Sequence, residues 1–446
     1  MTVLDGKRLT NETFRLDIEG IRRGYYSDKY FANVQTILRG LRDNGYVFEG
    51  DSPRDLPSDP AGLDIGNIEV EAQLFNRREP RALVAGTDVA LAMIRHCAGH
   101  YEDDTFIEAW QELDVTALQD GMFTEYSGDP SRVQSVIEIR GRYSEFSLLE
   151  TPMLGVLTRA SRLATNVYQV LEAAGGKPVL FFPARFDLPS VQELDGYAYW
   201  VAVQRYNQDS GKDVHPLTSA DAQSAWWGGR GGGTVPHAII ACFLADTAES
   251  MRAFARLMPV GVPRIALVDF NNDTVRDSLA TIDAYWPEYR RALEAGDEDG
   301  QKRWQLNGVR LDTSHSVRDK ALGPDDPKGV NPKLVHLVRE ALNNAWTRWD
   351  VPAHLEDAAR EYCRAVQIVA SGGFNRERIS RFEAEKVPVD SYGVGSTLLE
   401  NNSGSKTDYT MDVVRVNYRG EWLEMAKVGR KPGTHPQLSR VDLSAL

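Results

Sequence analysis

From residue 179 onward, short apolar runs alternate with longer helical patterns, and that rhythm restricts the chain to parallel βα units. The runs are Val179–Phe182, Ile265–Val268, Val309–Leu311, Ile368–Ala370 and Tyr392–Val394. Apolar residues at helical spacing fill 248–257, 274–294, 332–347, 355–366 and 375–384. Such units build a sheet that is open or closed into a barrel. Arg185, Asp269, Arg310 with Asp312, Ser371-Gly372-Gly373, and Gly393 with Gly395 all fall at or just past the C-terminal end of a run. In parallel α/β barrels that end is the active face. Helix N-caps and turn glycines account for any one of these residues, and less easily for all five groups.

A second feature is the stretch Gly231-Gly232-Gly233-Thr234-Val235-Pro236-His237 followed by Ala238-Ile239-Ile240. Glycines let a backbone approach a ligand closely, and Thr234 with unpaired N–H groups can hold an anion. His237 opens an apolar run that reads as a helix start. In isolation a Gly-rich loop is plain connection and a lone histidine a structural residue. The segment before it, from Asp187, reads as long and irregular, ending in Trp226-Trp227-Gly228-Gly229-Arg230; a loop of that length is a lid, an insertion or a tether.

The N-terminal part has a different grain. Phe31, Val34, Ile37, Leu38 and Leu41 predict a helix capped by Ser27 or Asp28, with Tyr30 in its first turn either facing a ligand or packing. Residues 47–66 read as a surface loop, Ile68–Phe75 as a strand and Ala82–Cys97 as a helix. His96, Cys97 and His100 suggest a metal site, but no further Cys/His pair at suitable spacing completes it. Thr116–Tyr126 and Val133–Tyr143 read as strands joined at Gly128-Asp129-Pro130, which makes this part α+β with a mainly antiparallel sheet. Glu150–Ala174 is one long helical pattern closed by Gly175-Gly176. After Leu399 a polar stretch leads to a strand over Met411–Tyr418 and a hairpin at Arg419-Gly420.

At 446 residues the chain holds two or three domains, and its net charge of −13, with no basic cluster of useful size, argues against general nucleic-acid binding. No apolar run reaches a membrane span of about 18 residues and the start lacks a signal-peptide pattern, so the expected location is the cytoplasm, with no membrane partner. Cys97, Cys242 and Cys363 sit far apart in apolar settings and read as reduced core thiols.

In order, these pieces resemble the nicotinate phosphoribosyltransferases, the type II phosphoribosyltransferases. Ser27-Asp28-Lys29-Tyr30 is similar to the family's T/S-D-x-Y signature, Glu150-Thr151-Pro152-Met153-Leu154 to E-T-P-L-L, and Gly233-Thr234-Val235-Pro236-His237 to G-T-x-x-H. Leu267 to Thr274 resembles L-V-D-T-Y-D-T, Gly308-Val309-Arg310-Leu311-Asp312-Thr313 resembles G-V-R-L-D-S, Ser371 to Asn375 resembles S-G-D-L-N, and Asp390 to Ser396 resembles D-G-F-G-V-G-T.

The resemblance implies an α/β fold: an irregular TIM-like barrel over 176–398, with an N-terminal α+β sandwich domain over 1–175 completed by a β-rich segment, 399–446. It implies transfer of the phosphoribosyl group of 5-phosphoribosyl 1-diphosphate to nicotinate, coupled to ATP hydrolysis through a phosphohistidine at His237. Arg185 and Asp312 would act at the reacting centre. Thr234, Asp269, Arg310, Ser371, Gly372, Gly373, Gly393, Gly395 and Ser396 would bind substrate. Mg²⁺ would accompany the phosphates without a dedicated protein cage. Tyr30 would stack on the pyridine ring of a neighbouring subunit, making the protein a homodimer or higher. Where many members carry F-G-x-R-R, this chain has Phe182-Pro183-Ala184-Arg185-Phe186, so Arg185 stands without the second arginine. Nicotinamide as the base, and a catalytically silent phosphoribosyl-binding role, remain alternatives.

Overall fold

The computed structural model describes residues 4–446. In chain order its strands are β1 (Glu69–Asn76), β2 (Arg81–Leu83), β3 (Gly99–Glu102), β4 (Thr105–Glu108), β5 (Asp114–Ala117), β6 (Phe123–Glu125), β7 (Ser135–Arg142), β8 (Val179–Phe181), β9 (Leu217–Thr218), β10 (Ile265–Leu267), β11 (Gly308–Leu311), β12 (Gln367–Ala370), β13 (Ser391–Val394), β14 (Tyr409–Tyr418), β15 (Glu421–Glu424) and β16 (Ser439–Arg440). They fall into two compact units. One comprises the N-terminal residues through Tyr168, Glu193–Asp209 and Glu400–Leu446; the other comprises Gln169–Gln192 and Ser210–Leu399.

The first unit is built on an antiparallel sheet ordered β15-β14-β1-β7-β5-β16. Side chains alternate between the faces of a strand, and β1 is buried on both. Val70, Ala72 and Leu74 form its apolar face. On the other face the carboxylate of Glu71 accepts from Arg140 at 2.6 Å and from Arg415, its neighbours on β7 and β14. The long helix over Glu150–Ala174 is present with the bounds read from the sequence.

Several expectations for this unit are corrected. The helix read from Ala82 begins only at Thr87, because Arg81–Leu83 pairs with Phe123–Glu125 and Gly86, at φ 93°, turns the chain between strand and helix. The strand read over Thr116–Tyr126 is two strands: β5 pairs with β7 and β6 with β2, and a single bridge, Tyr126 to Val133, spans the turn. The β3–β4 hairpin was not read at all. Asp28 stands at the N-cap of Lys29–Asp43, but its side chain makes no capping bond. A 19-residue helix, Gln192–Ser210, occupies part of the segment read as irregular. Its residues 193–209 cluster with this unit, not with the middle segment to which the sequence reading assigned them.

Of His96, Cys97 and His100, His100 lies in β3 with its Nδ1 2.7 Å from Glu145, and among the described residues no group of three or more His, Cys, Asp or Glu is placed to hold a metal. Cys97 and Cys363 are buried thiols, pushed up to about 12 by burial, whereas Cys242, expected in the core, is exposed at the end of a short helix.

The second unit carries a sheet ordered β10-β11-β12-β13-β8-β9, in which every pair is parallel. Parallel strands need long crossovers, and helices such as Thr274–Glu294, Pro332–Asn344 and Arg376–Ala384 supply them. No pairing joins β9 to β10 among the described residues, so the sheet curls into a half-barrel and is not closed by hydrogen bonds. Helix starts are fixed by side-chain caps: Asp273 accepts from Arg276 N, Asn331 from Leu334 N and Asn375 from Arg378 N. Just before β10 the fully buried Arg264 donates to the carbonyls of Met258, Pro259, Val260, Val262 and Arg303, and it pairs with no carboxylate among the described residues. Among the described residues no helix is long and apolar enough to cross a membrane.

Candidate active site

Because the strands of the second unit run in parallel, whatever follows each of them is delivered to the same edge of the sheet. Asp269 follows β10, Asp312 follows β11, Ser371 follows β12, Gly395 follows β13, and Arg185 lies in the single turn Pro183–Phe186 after β8. His237 reaches this edge from the start of helix His237–Cys242. Its Nε2 lies 3.0 and 3.1 Å from the two carboxylate oxygens of Asp269. The bond to Asp269 raises the imidazole above its ordinary range, burial opposes it, and among the nearby charges Asp269 and Asp312 reinforce the rise while Arg310 counters it. A nitrogen facing a carboxylate carries the proton, which leaves Nδ1 of the neutral ring as a lone pair. Nδ1 makes no hydrogen bond to any described residue.

Asp312 is held from the next strand. Ser371 Oγ lies 2.8 Å from Asp312 Oδ1 and 3.1 Å from the carbonyl of Leu311, so its single proton is shared between them. Gly372 follows at φ 88°, and a Cβ there would stand 3.3 Å from the same Asp312 oxygen. The Gly372 carbonyl accepts from Arg378 at 2.6 Å, and that guanidinium lies 4.0 Å from the Phe374 ring centroid. Arg378 was not singled out in the sequence; its position one turn into a helix after a glycine pair was the available signal.

Two phenylalanines complete the edge. A Cβ on Gly393 would lie 2.7 Å from Phe182 Cε2 and 3.1 Å from Ser371 Cβ, and one on Gly395 would lie 2.8 Å from Phe186 Cε2. Both glycines therefore make room for rings. The Arg310 guanidinium is 5.9 Å from the Phe182 centroid, and that of the exposed Arg185 is 5.3 Å from the Phe186 centroid. His237, Asp269, Arg310, Asp312, Ser371, Gly372, Gly393, Gly395 and Arg185 thus form one connected set. Gly373 follows Gly372 in the chain, the Thr234 side chain makes no hydrogen bond to any described residue, and Ser396 is exposed at the start of the turn after β13.

Tyr30 belongs to the first unit, where it is 60% exposed and its hydroxyl donates to Asp28 at 3.0 Å. The same carboxylate accepts from Thr151 at 3.2 Å, so the Ser27-Asp28-Lys29-Tyr30 and Glu150-Thr151-Pro152 stretches meet. Burial pushes Glu150 up to about 8, against a weak bond from Tyr143.

A nicotinate phosphoribosyltransferase of Mycobacterium tuberculosis, present in two strains, is 26% identical over 276 residues, 62% of this chain and 47% of that protein. The chain is a relative of the nicotinate phosphoribosyltransferases. The match spans about half the length of those curated relatives. No protein-family model matches the chain. Among solved structures, a nicotinate-nucleotide pyrophosphorylase from Pyrococcus furiosus superposes with a TM-score of 0.61 at 23% identity, over 94% of this chain and 81% of that one. Human nicotinic acid phosphoribosyltransferase gives 0.50 at 17% identity, over 88% and 75%. At these identities the two structures establish a shared fold between this nicotinate phosphoribosyltransferase relative and both proteins.

Proposed function

We propose that the protein transfers the phosphoribosyl group of 5-phosphoribosyl 1-diphosphate to nicotinate, releasing diphosphate and giving nicotinate mononucleotide for NAD synthesis in the cytoplasm. The observation that carries the reading is the convergence of the His237–Asp269 and Ser371–Asp312 pairs at one edge of a parallel sheet. As diphosphate leaves C1′, positive charge develops on the ribose, and the pyridine nitrogen attacks the exposed carbon. Positioning and electrostatics supply most of the help such a centre needs. Asp312 keeps a free oxygen for ribose hydroxyls or for Mg²⁺ arriving with the phosphates, a hard oxygen donor suited to that ion. Backbone N–H groups of Gly372, Gly373, Gly395 and Ser396 take the 5-phosphate, and Arg185 takes the carboxylate of the base.

In the coupled step, Nδ1 of neutral His237 attacks the γ-phosphorus of ATP: the N–P bond forms, the β–γ bridge breaks and ADP leaves. Asp269 holds the proton on Nε2 and stabilises the charge that forms on the ring. Water later cleaves the N–P bond and releases phosphate. The reading extends to an irregular barrel around the six parallel strands, and to a dimer or higher assembly in which Tyr30 of one subunit stacks on the pyridine of the next. Its 60% exposure supports that role. A second reading, nicotinamide as the base, rests on Phe186 standing where many relatives place a second arginine. Product formation from nicotinate, nicotinamide and quinolinate, measured side by side, tests both: equal or better turnover of nicotinamide rejects nicotinate, and no nucleotide from any base rejects the transferase.

A further inference from the structure

Two adjoining hollows of about 540 and 650 Å³ open at the other end of the same strands, where β8, β12 and β13 begin. They share Arg339, Asn343 and Arg364 and so form one groove, each hollow of which has the volume of a small-molecule site. In a chain of net charge −13 its lining is unusual, because most of its carboxylates are already engaged. Asp390 accepts from Arg339 at 3.0 Å and from the N–H of Ile368 at 2.6 Å; Glu383 accepts from Lys177 at 2.7 Å and Tyr392 at 2.5 Å. The exposed side chains of Arg364 and Lys386, by contrast, have no hydrogen bond or ion pair with any described residue. At one end the half-buried Trp346 ring lies 4.8 Å from the Arg360 guanidinium, with the amides of Asn343 and Asn344 alongside and the carboxylate of Glu340, which pairs with no described residue.

We propose that this groove binds a nucleoside diphosphate or triphosphate at a site separate from the candidate active site. Free guanidinium and ammonium groups are the partners phosphate oxygens require, and Arg with an aromatic ring is the surface on which a planar base stacks. Glu340 accepts from ribose hydroxyls, a contact that inorganic phosphate cannot offer. Hydrogen exchange on the full chain, with ADP and separately with inorganic diphosphate, locates the ligand. ADP slows exchange in peptides covering 336–346 and 360–366, and in the Arg364→Glu/Lys386→Glu variant half-protection there needs about tenfold more ADP or beyond. The Arg364→Gln/Lys386→Gln variant gives a smaller loss in the same direction, and neither changes transfer activity without ADP. Protection confined to peptides around His237, or groove protection that survives the charge reversal, overturns the site. Diphosphate protecting as tightly as ADP overturns its assignment to a nucleotide.

Discussion

Gly393→Ala separates two reasons for a glycine at the candidate site. If Gly393 were there only to let a phosphate approach the backbone, a methyl group would weaken substrate binding and leave the protein otherwise intact. The structure gives a second reason: the added Cβ would stand 2.7 Å from Phe182 Cε2 and 3.1 Å from Ser371 Cβ. Carbon atoms pack at roughly 3.5–4.0 Å, so the ring has to move by about 1 Å. Overpacking of that kind costs about 1–3 kcal/mol, which denaturant unfolding resolves as a shift in midpoint. The strain also falls on Ser371, which holds Asp312. A displacement of about 1 Å at a positioning group lowers kcat/KM by about a hundredfold. Adding Phe182→Leu removes the ring atoms in the way and should recover most of both losses. Gly395→Ala is the contrasting case, because the Phe186 ring it meets is 46% exposed and free to swing outward, so a stability change within about 0.5 kcal/mol is expected. Wild-type stability in Gly393→Ala, or a double variant no better than the single one, would refute this account of the glycine.

The remaining predictions concern single side chains. His237→Ala abolishes labelling of the protein by the γ-phosphate of ATP and lowers coupled transfer by about 10- to 1,000-fold, whereas the exposed His315, outside the Gly-Thr-x-x-His context, tolerates alanine with labelling intact; the reverse pattern rejects the phosphohistidine. Arg185→Ala weakens nicotinate more than nicotinamide by about one to two decades, read from the two kcat/KM values. Asp269 raises the pKa of His237, so protonation removes its nucleophilic lone pair already at a pH above the usual histidine range; in Asp269→Asn the acid limb of the labelling profile moves to lower pH, measured from about pH 5 to 9. The linked stability has the opposite sense, since the His237–Asp269 ion pair contributes below the ordinary histidine pKa and is lost as pH rises through the raised one. Arg264→Met strands the carbonyls that its guanidinium satisfies and lowers unfolding stability by about 3 kcal/mol or more, seen as a lower urea midpoint.

Five of the six strands of the second unit were legible because each centres on a short apolar run, with polar or glycine residues at its end, although Arg310 interrupts β11; the two-residue β9 lay unread in the segment after Asp187. Helix Gln192–Ser210 was hidden by the same burial. From Asp195 to Val203 every residue is buried, so no polar face marks a helical period, and Tyr197-Ala198-Tyr199-Trp200-Val201 has the composition of a strand. In the first unit, β5 and β6 are contiguous in pattern but part company at Gly121, and local sequence says nothing about which distant partner each will take. At the site, residue types at strand ends pointed to Asp269 and Asp312, whose side chains need only the parallel sheet to converge, and the Gly-rich turn before a helix pointed to His237. The opposition of Phe182 to Gly393 and of Phe186 to Gly395 depends on the packing of β8 against β13, which spacing cannot report.

The position of β1 between β7 and β14 bears on how the chain is made. One neighbour follows β1 within the same N-terminal stretch, and the other is roughly 330 residues away in sequence. At synthesis rates of about 5–20 residues per second, β14 leaves the ribosome some 20–70 s after β1. During that interval the edge of β1 that later pairs with β14 has no strand beside it, while the whole second unit is synthesised. A nascent chain with an open strand edge is a substrate for holdase chaperones and a template for pairing with other chains. Ribosome pausing within residues 210–399 prolongs that exposure, so yield of soluble protein should depend more on translation speed there than on any contact of the finished sheet.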